Sequence, residues 1–470
     1  MLRVLFASAV LVLLVVVVVA AQPPLSPPLS PVAPPALPTA PPSLTPLLPT
    51  GVPGGPLPPM PPRPFPVPGA AGAPAAAPAP NPGETPLGKF RPIEAFPAVT
   101  QDAVRAALLG GTWLGKMNQP NGRFLHGYLP ALRQPMSGDH DLRQAQAALA
   151  MAQVAKFAGD EKQAAVASQA ILALLAATKL DANDPSCRTP VQSSLVCNRV
   201  AFAALVALAV YELPNPADKL VEDAERLCKF LRTQIRVDGS VHYADGPGDD
   251  PLKVDPSGVN EFPGLALQAL VVSNRARPAE WKKDAVKKGV AHYHAVVRAR
   301  PHPALADTLA PAAAEFYLQT RAPEAAAAVF DMTDWLCQLQ ISATDPKNPQ
   351  WAGGFRAVAD GRLSDAPPHA SDTGRHVQSL ACAYHVTRAT GDLPREQKYR
   401  PAAADAVQFL CGLQFLEANT RHFEDTFRAK MLIGAFHLSP ADGNLRIEAT
   451  ACAITGLLRF LSSGAQTAGN

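Results

Sequence analysis

Ionisable residues recur at helical spacing in segments that are otherwise apolar, and they are where chemistry is to be sought first. His140, Arg143 and Gln144 share one face, and Asp372, Arg375, His376 and Ser379 share another. Arg199 follows Asn198, Asn260 precedes Glu261, Asp307 and Glu315 fall on one face, and Arg446 stands two residues before Glu448. Guanidinium forks of Arg143, Arg199, Arg375 and Arg446, with His140 and Asn260, could hold a carboxylate, sulfate or phosphate. Glu261, Glu315, Asp372 and His376 are the candidates for acid or base chemistry beside such a ligand. Tyr128 and Trp351 supply ring faces for stacking on a sugar, and Tyr243 and Phe355 lie on comparable segments. The competing reading is that these charges pair with one another and fasten helix starts to loops, and the sequence leaves that choice open.

No Cys/His spacing suits zinc, and His292 and His294 are two residues apart on a helix, facing different sides; no metal or other cofactor is expected. Seven cysteines are present. Cys187 and Cys197 flank a polar loop and are the candidate disulfide, whereas the other five sit inside apolar helical runs and read as small buried hydrophobes. The net charge of +3 on 470 residues speaks against a nucleic-acid partner or a polybasic membrane patch.

Three regions are expected. Residues 1–21 carry Arg3, an apolar run from Val4 to Val19 and small residues after it, the pattern of a secretory signal. The run approaches the length of a bilayer span, so an uncleaved anchor is the alternative, and the membrane is a partner only in that case. Both readings export the remainder, to a periplasmic or extracellular location. Residues 22–90 form a disordered spacer, because 25 of the 51 prolines fall between Pro23 and Pro82 and proline removes backbone donors. Residues 95–465 are the folded domain.

Within it the spacing predicts twelve helices, near 101–118, 140–158, 161–178, 194–213, 217–235, 258–275, 279–299, 304–321, 323–340, 371–390, 396–416 and 445–462. Connections after even-numbered helices are short, as at Gly159-Asp160 and Arg277-Pro278, and those after odd-numbered ones are mostly long. An internal repeat of about 60 residues, read on the helix ends, carries a glycine turn after the odd helices: Gly122, Gly239, Gly353-Gly354 and, last, Gly443. Cys228, Cys337 and Cys411 occupy one place in it. Six hairpins of this kind can close a ring, the alanine-rich even helices inside and the charged odd helices outside. The long crossings then crowd one mouth, lined by the N-termini of the inner helices, whose free N–H groups favour an anionic or oxygen-rich ligand.

Six hairpins with glutamine and glycine-aromatic text after the outer helices (Gln119 to Phe124, Gln340 to Phe355) resemble the all-α (α/α)6 toroids of terpenoid cyclases, protein prenyltransferases and six-hairpin glycosidases. The resemblance specifies fold far better than reaction. The acidic cluster of the cyclases and the Asp, Cys and His zinc set of the prenyltransferases find no counterpart here. What remains is an exported toroid binding a glycan or another small anionic ligand, as a hydrolase, epimerase or lyase or as a non-catalytic scaffold of the envelope. A cyclase-like isoprenoid binder is a further alternative, which only 29 aromatic residues (18 Phe, 7 Tyr, 4 Trp) would have to wall.

Overall fold

A computed structural model describes residues 93–464 apart from 194, 196, 197, 247 and 360. The expected signal or anchor, the proline-rich spacer and Cys197 lie outside the described residues. Twelve long helices make up the domain: α1 (Ala98–Met117), α2 (Asp141–Ala158), α3 (Glu161–Leu175), α4 (Arg199–Glu212), α5 (Asp218–Gln234) and α6 (Phe262–Ala276). The second half comprises α7 (Glu280–Ala299), α8 (Pro303–Thr320), α9 (Pro323–Leu336), α10 (Ala370–Thr390), α11 (Leu393–Gly412) and α12 (Ile447–Ser462).

The even helices pack in the order α2, α4, α6, α8, α10, α12 and back onto α2, which closes an inner ring. Each odd helix lies outside its hairpin partner, and α1, the first helix, takes α12, the last, as its partner. The fold is therefore an (α/α)6 toroid. Composition explains the layering. Every residue of α4 from Val200 to Tyr211 is buried, and α2 buries Ala145, Ala147, Ala148, Ala150, Ala152 and Ala155, small side chains that let helices enclosed on all sides approach one another. The outer α5 buries Leu220, Ala224, Leu227 and Leu231 at three and four spacing and leaves most of its charges to solvent, Asp223 excepted. The inner pair α10 and α12 comes closest, Gly456 lying against the backbone of Gly374 where any side chain would collide.

Four of the crossings share one device. A single antiparallel bridge closes the chain just after the outer helix, Asn118 to Phe124, Ile235 to Val241, Gln340 to Phe355 and Gln414 to Phe436. Within each lies a positive-φ glycine, Gly122, Gly239, Gly353 or Gly434, resting on the backbone or side chains of the next outer helix around the ring. Gly353, at φ +87°, faces the carbonyl of Asp405 on α11, a place and a conformation that exclude a Cβ. The last member of the repeat is thus Gly434, not Gly443. Gly443 belongs to the hairpin between β3 (His437–Ser439) and β4 (Asp442–Arg446), with open space where its side chain would be. The crossing from α7 to α8 also departs from the expected pattern, comprising only Arg300, Pro301 and His302, the last capping Ala304 N–H with its ring nitrogen at 3.2 Å.

The first and last long crossings are joined by a four-stranded sheet, in which β1 (Gly127–Leu129) lies between β2 (Gln134–Pro135) and β4, with β3 at the far edge. Tyr128 pairs with Leu445 and Gly127 with Arg446. Two segments some 300 residues apart in the chain are fastened together here, above the starts of α2 and α12.

Candidate functional site

The N-terminal ends of the inner helices gather most of the residues singled out in the sequence, and there the charges are spent on one another. Arg123 bonds Asp139 at 2.5 Å and also holds Asp141, while the Gln144 amide bonds the backbone of Phe124 through both its oxygen (2.7 Å) and its nitrogen (2.8 Å). Burial alone would raise the Asp139 carboxyl; hydrogen bonds from Arg123 and Gln144 outweigh it and hold the group below its usual range. Arg143 reaches His126 Nε2 at 2.9 Å and Glu448 Oε1 at 3.2 Å, and Arg446 approaches the same oxygen at 3.7 Å. Arginine only donates, so Nε2 of His126 accepts and the ring proton is on Nδ1, a buried atom without a partner among the described residues. Burial first, then the Arg143 charge, push His126 and the neighbouring His140 below the ordinary histidine range.

Of the remaining candidates around this mouth, Arg199 and Tyr128 are likewise engaged, and Asn260 is engaged through its backbone. Arg199 bonds the carboxylate of Asp245 at 3.2 Å and its carbonyl at 2.6 Å. The Asn260 carbonyl accepts from Thr308 at 3.3 Å. Tyr128 is 7 % exposed, its ring 5.8 Å from that of Phe427, so little of its face is open. Trp351 ends a short 3-10 turn (Pro349–Trp351) and is half-buried on the crossing from α9 to α10.

Arg375 stands 4.0 Å from Glu261 and 3.9 Å from Asp372, one guanidinium between two partly exposed carboxylates. Beneath them, His376 Nδ1 lies 2.5 Å from Asp307 Oδ2, and Ser379 donates to the other Asp307 oxygen at 3.1 Å. The edge of Phe355 meets the His376 ring at 4.4 Å. His376 is therefore a buried support for Asp307. Glu315 does not join this group: two turns and more below Asp307 on α8, about 12 Å along the axis, it sits near the other end of the ring, 3.3 Å from Arg275. Cys187, of the expected bridge, is buried, and its expected partner Cys197 lies outside the described residues.

An axial cavity of about 350 Å³ runs inside the inner ring. At one end its wall includes Asp307, Thr308 and Arg375. At the other it reaches Lys156, Phe157, Glu212, Arg275, Arg459 and Ser462, in the last turns of α2, α4, α6 and α12. Of the twelve ligand and catalytic candidates, only Arg375 lines it. Between the ends, Leu149, Leu205, Leu208, Leu265, Val272 and Ala451 alternate with polar side chains. Gln146 on α2, Gln268 on α6 and Gln378 on α10 project into the cavity from every second inner helix, and their amides bond no other described residue. Gln153, one step further along α2, accepts from Thr455 at 2.8 Å.

These glutamines were legible as single polar residues interrupting alanine- and leucine-rich helices. They escape a reading that looks for charge, because an uncharged amide at an inward position resembles any tolerated polar residue. Among the described residues no group of three or more His, Cys, Asp or Glu side chains is arranged to hold a metal ion.

Solved structures share this architecture. D-mannose isomerase superposes with a TM-score of 0.57 at 12 % identity, over 78 % of this chain and 99 % of that one. The unsaturated glucuronyl hydrolase of a Bacillus species matches with a TM-score of 0.54 at 14 % identity, over 77 % and 96 %. Cellobiose 2-epimerase from Bacillus thermoamylovorans gives 0.54 at 11 % identity, over 77 % and 98 %. The chain thus has the toroid fold of the six-hairpin glycosidase-like proteins, and at such identities the likeness is one of fold. No protein-family model matches the sequence, and no curated protein matches it either.

Proposed function

We propose that this toroid binds a polyhydroxylated ligand, a sugar or short glycan, in its axial cavity. The observation that carries the reading is the set of three unengaged glutamine amides, Gln146, Gln268 and Gln378, converging on a partly enclosed space of about 350 Å³. A primary amide both donates and accepts, which matches a ring of hydroxyls, and the leucine and valine walls between them suit the C–H faces of a sugar. That the solved structures of like fold include an isomerase, a hydrolase and an epimerase named for sugars is consistent with this reading.

Binding without turnover is the version the charges favour. A glycosidase needs two carboxylates of different protonation facing the ligand. Here Arg375 stands beside both Glu261 and Asp372, and both oxygens of Asp307 are taken by His376 and Ser379. An isoprenoid site is disfavoured by the wall, in which Phe157 is the one aromatic. The apolar N-terminus adds export to the proposal, which fractionation of cells would check.

Calorimetric titration of the full chain with neutral and acidic oligosaccharides tests the reading. Gln268→Leu and Gln378→Leu are each expected to weaken binding roughly fivefold, about one neutral hydrogen bond, with little change in melting temperature. Absence of binding to every sugar, or binding untouched by both substitutions, would overturn it.

A further inference from the structure

The cavity wall carries six charged side chains, and five of them form an ion pair within 4.0 Å. Lys156 pairs with Glu212 at 3.3 Å, Arg275 with Glu315 at 3.3 Å and more distantly with Glu212 at 3.9 Å, Asp307 with His376, and Arg375 with Glu261 and Asp372. The sixth is Arg459 on α12. It lines the cavity, is only partly exposed, and its guanidinium makes no ion pair or hydrogen bond with any described residue.

A cation in the last turn of a helix ordinarily answers the helix dipole from the solvent side. Arg459 occupies such a turn but faces inward, seven residues beyond Cys452 on the same face, along with Thr455 and Ser462. The carboxylates whose charges reach it, Glu315 and Glu212, are already paired with Arg275 and Lys156. At this end Lys156, Arg275 and Arg459 stand against two carboxylates, Glu212 and Glu315, so one positive charge is left over. His385 on α10 is held below its usual range by desolvation first and then by the guanidinium groups of Arg459 and Arg388, with Glu315 acting the other way.

From the unpaired Arg459 in a cavity otherwise lined by amides, we infer that the ligand is an acidic sugar whose carboxylate or sulfate is taken by the Arg459 fork. The inference rests on the sugar-binding reading and adds the charge and orientation of the ligand. The anionic group lies toward the C-terminal ends of the inner helices, and the neutral hydroxyls extend toward Gln268, Gln378 and Gln146. Arginine suits the role because its planar fork meets two oxygens at once, and a partly enclosed site keeps that contact from being screened away.

The experiment is calorimetry of the full chain with three ligands of equal length: a neutral oligosaccharide, a uronate oligosaccharide and a sulfated one. The parent protein is expected to bind one of the acidic ligands at least tenfold more tightly than the neutral one, and which of the two it prefers identifies the anionic group. Arg459→Gln should abolish that preference, with the loss falling chiefly on the acidic ligand. Arg459→Lys, which keeps the charge and loses the fork, should retain a reduced preference and guards against a folding defect in the first variant. Equal affinity for neutral and acidic ligands in the parent, or a preference that survives Arg459→Gln, overturns the inference while sugar binding stands. If no sugar of either kind binds, the sugar-binding reading fails and this inference with it.

Discussion

The two ends of the inner ring are built from the same helices and have opposite characters. Five long crossings cover the N-terminal end, where Arg123, Arg143, Arg199, Arg375 and Arg446 all stand beside carboxylates. The C-terminal end is closed by turns as short as Gly159-Asp160, and there the cavity reaches last-turn residues among which Arg459 forms no ion pair with a described residue. Long loops must be fastened, and fastening uses up charge: an arginine that bonds two acidic groups across a crossing is a staple, and the density of such residues marks where the backbone needs holding. At the end with short turns Lys156, Glu212 and Arg275 also pair with carboxylate or cation partners, whereas Arg459 forms no ion pair with a described residue.

The contrast can be broken in several ways. Arg123→Ala should have the largest effect, about 3 kcal/mol of folding stability in a denaturant titration, since it strands Asp141, which is 2 % exposed. Sugar affinity should not change. A loss of binding with little loss of stability would move the ligand to this end and undo the comparison. Gly353→Ala should cost about 2 kcal/mol, through positive φ and collision with the α11 backbone, again without a direct effect on binding. Gly443→Ala, at a glycine with open space around it, should cost well under that in the same assay.

The smallest effect concerns pH. His126 and His140 have folded values below the ordinary 6.5, so the unfolded chain takes up protons that the native state refuses. Stability is then full above about pH 6.5 and falls as the pH drops through the lower native values; His302 and His437 act in the same direction. Melting temperatures between pH 7.5 and 5.5 should decline, and His126→Gln should blunt the decline. An unchanged decline in that variant would locate the proton uptake elsewhere. The preference of Arg459 for an acidic ligand should persist over the same interval, because arginine does not titrate there.

Much of this architecture is readable from the chain. Alanine-rich segments alternating with charged amphipathic ones, and short turns alternating with long, predict paired inner and outer helices, and six such pairs predict a ring. The repeat also announces the glycine turns, although the last was read at Gly443 because an Asp-Gly-Asn triplet looks more like a turn than Ile433-Gly434-Ala435 does. Only the packing of Gly434 against α1 distinguishes them. The candidate residues were found where charge is concentrated, and Arg375 alone proved to line the cavity.

The sequence by itself determined which faces are apolar, where helices start and stop, and which helices can be enclosed, because those depend on spacing along a single segment. Whether a given arginine or glutamine is engaged depends on side chains brought from other helices, as Arg275 meets Glu315 forty residues away and Arg143 meets Glu448 some three hundred away. Tertiary structure therefore decided that the charged mouth is a fastening and that Gln146, Gln268, Gln378 and Arg459 are left facing the open axis. A free polar group is defined by the partner it lacks, and that absence is fixed only once every neighbouring helix is in place.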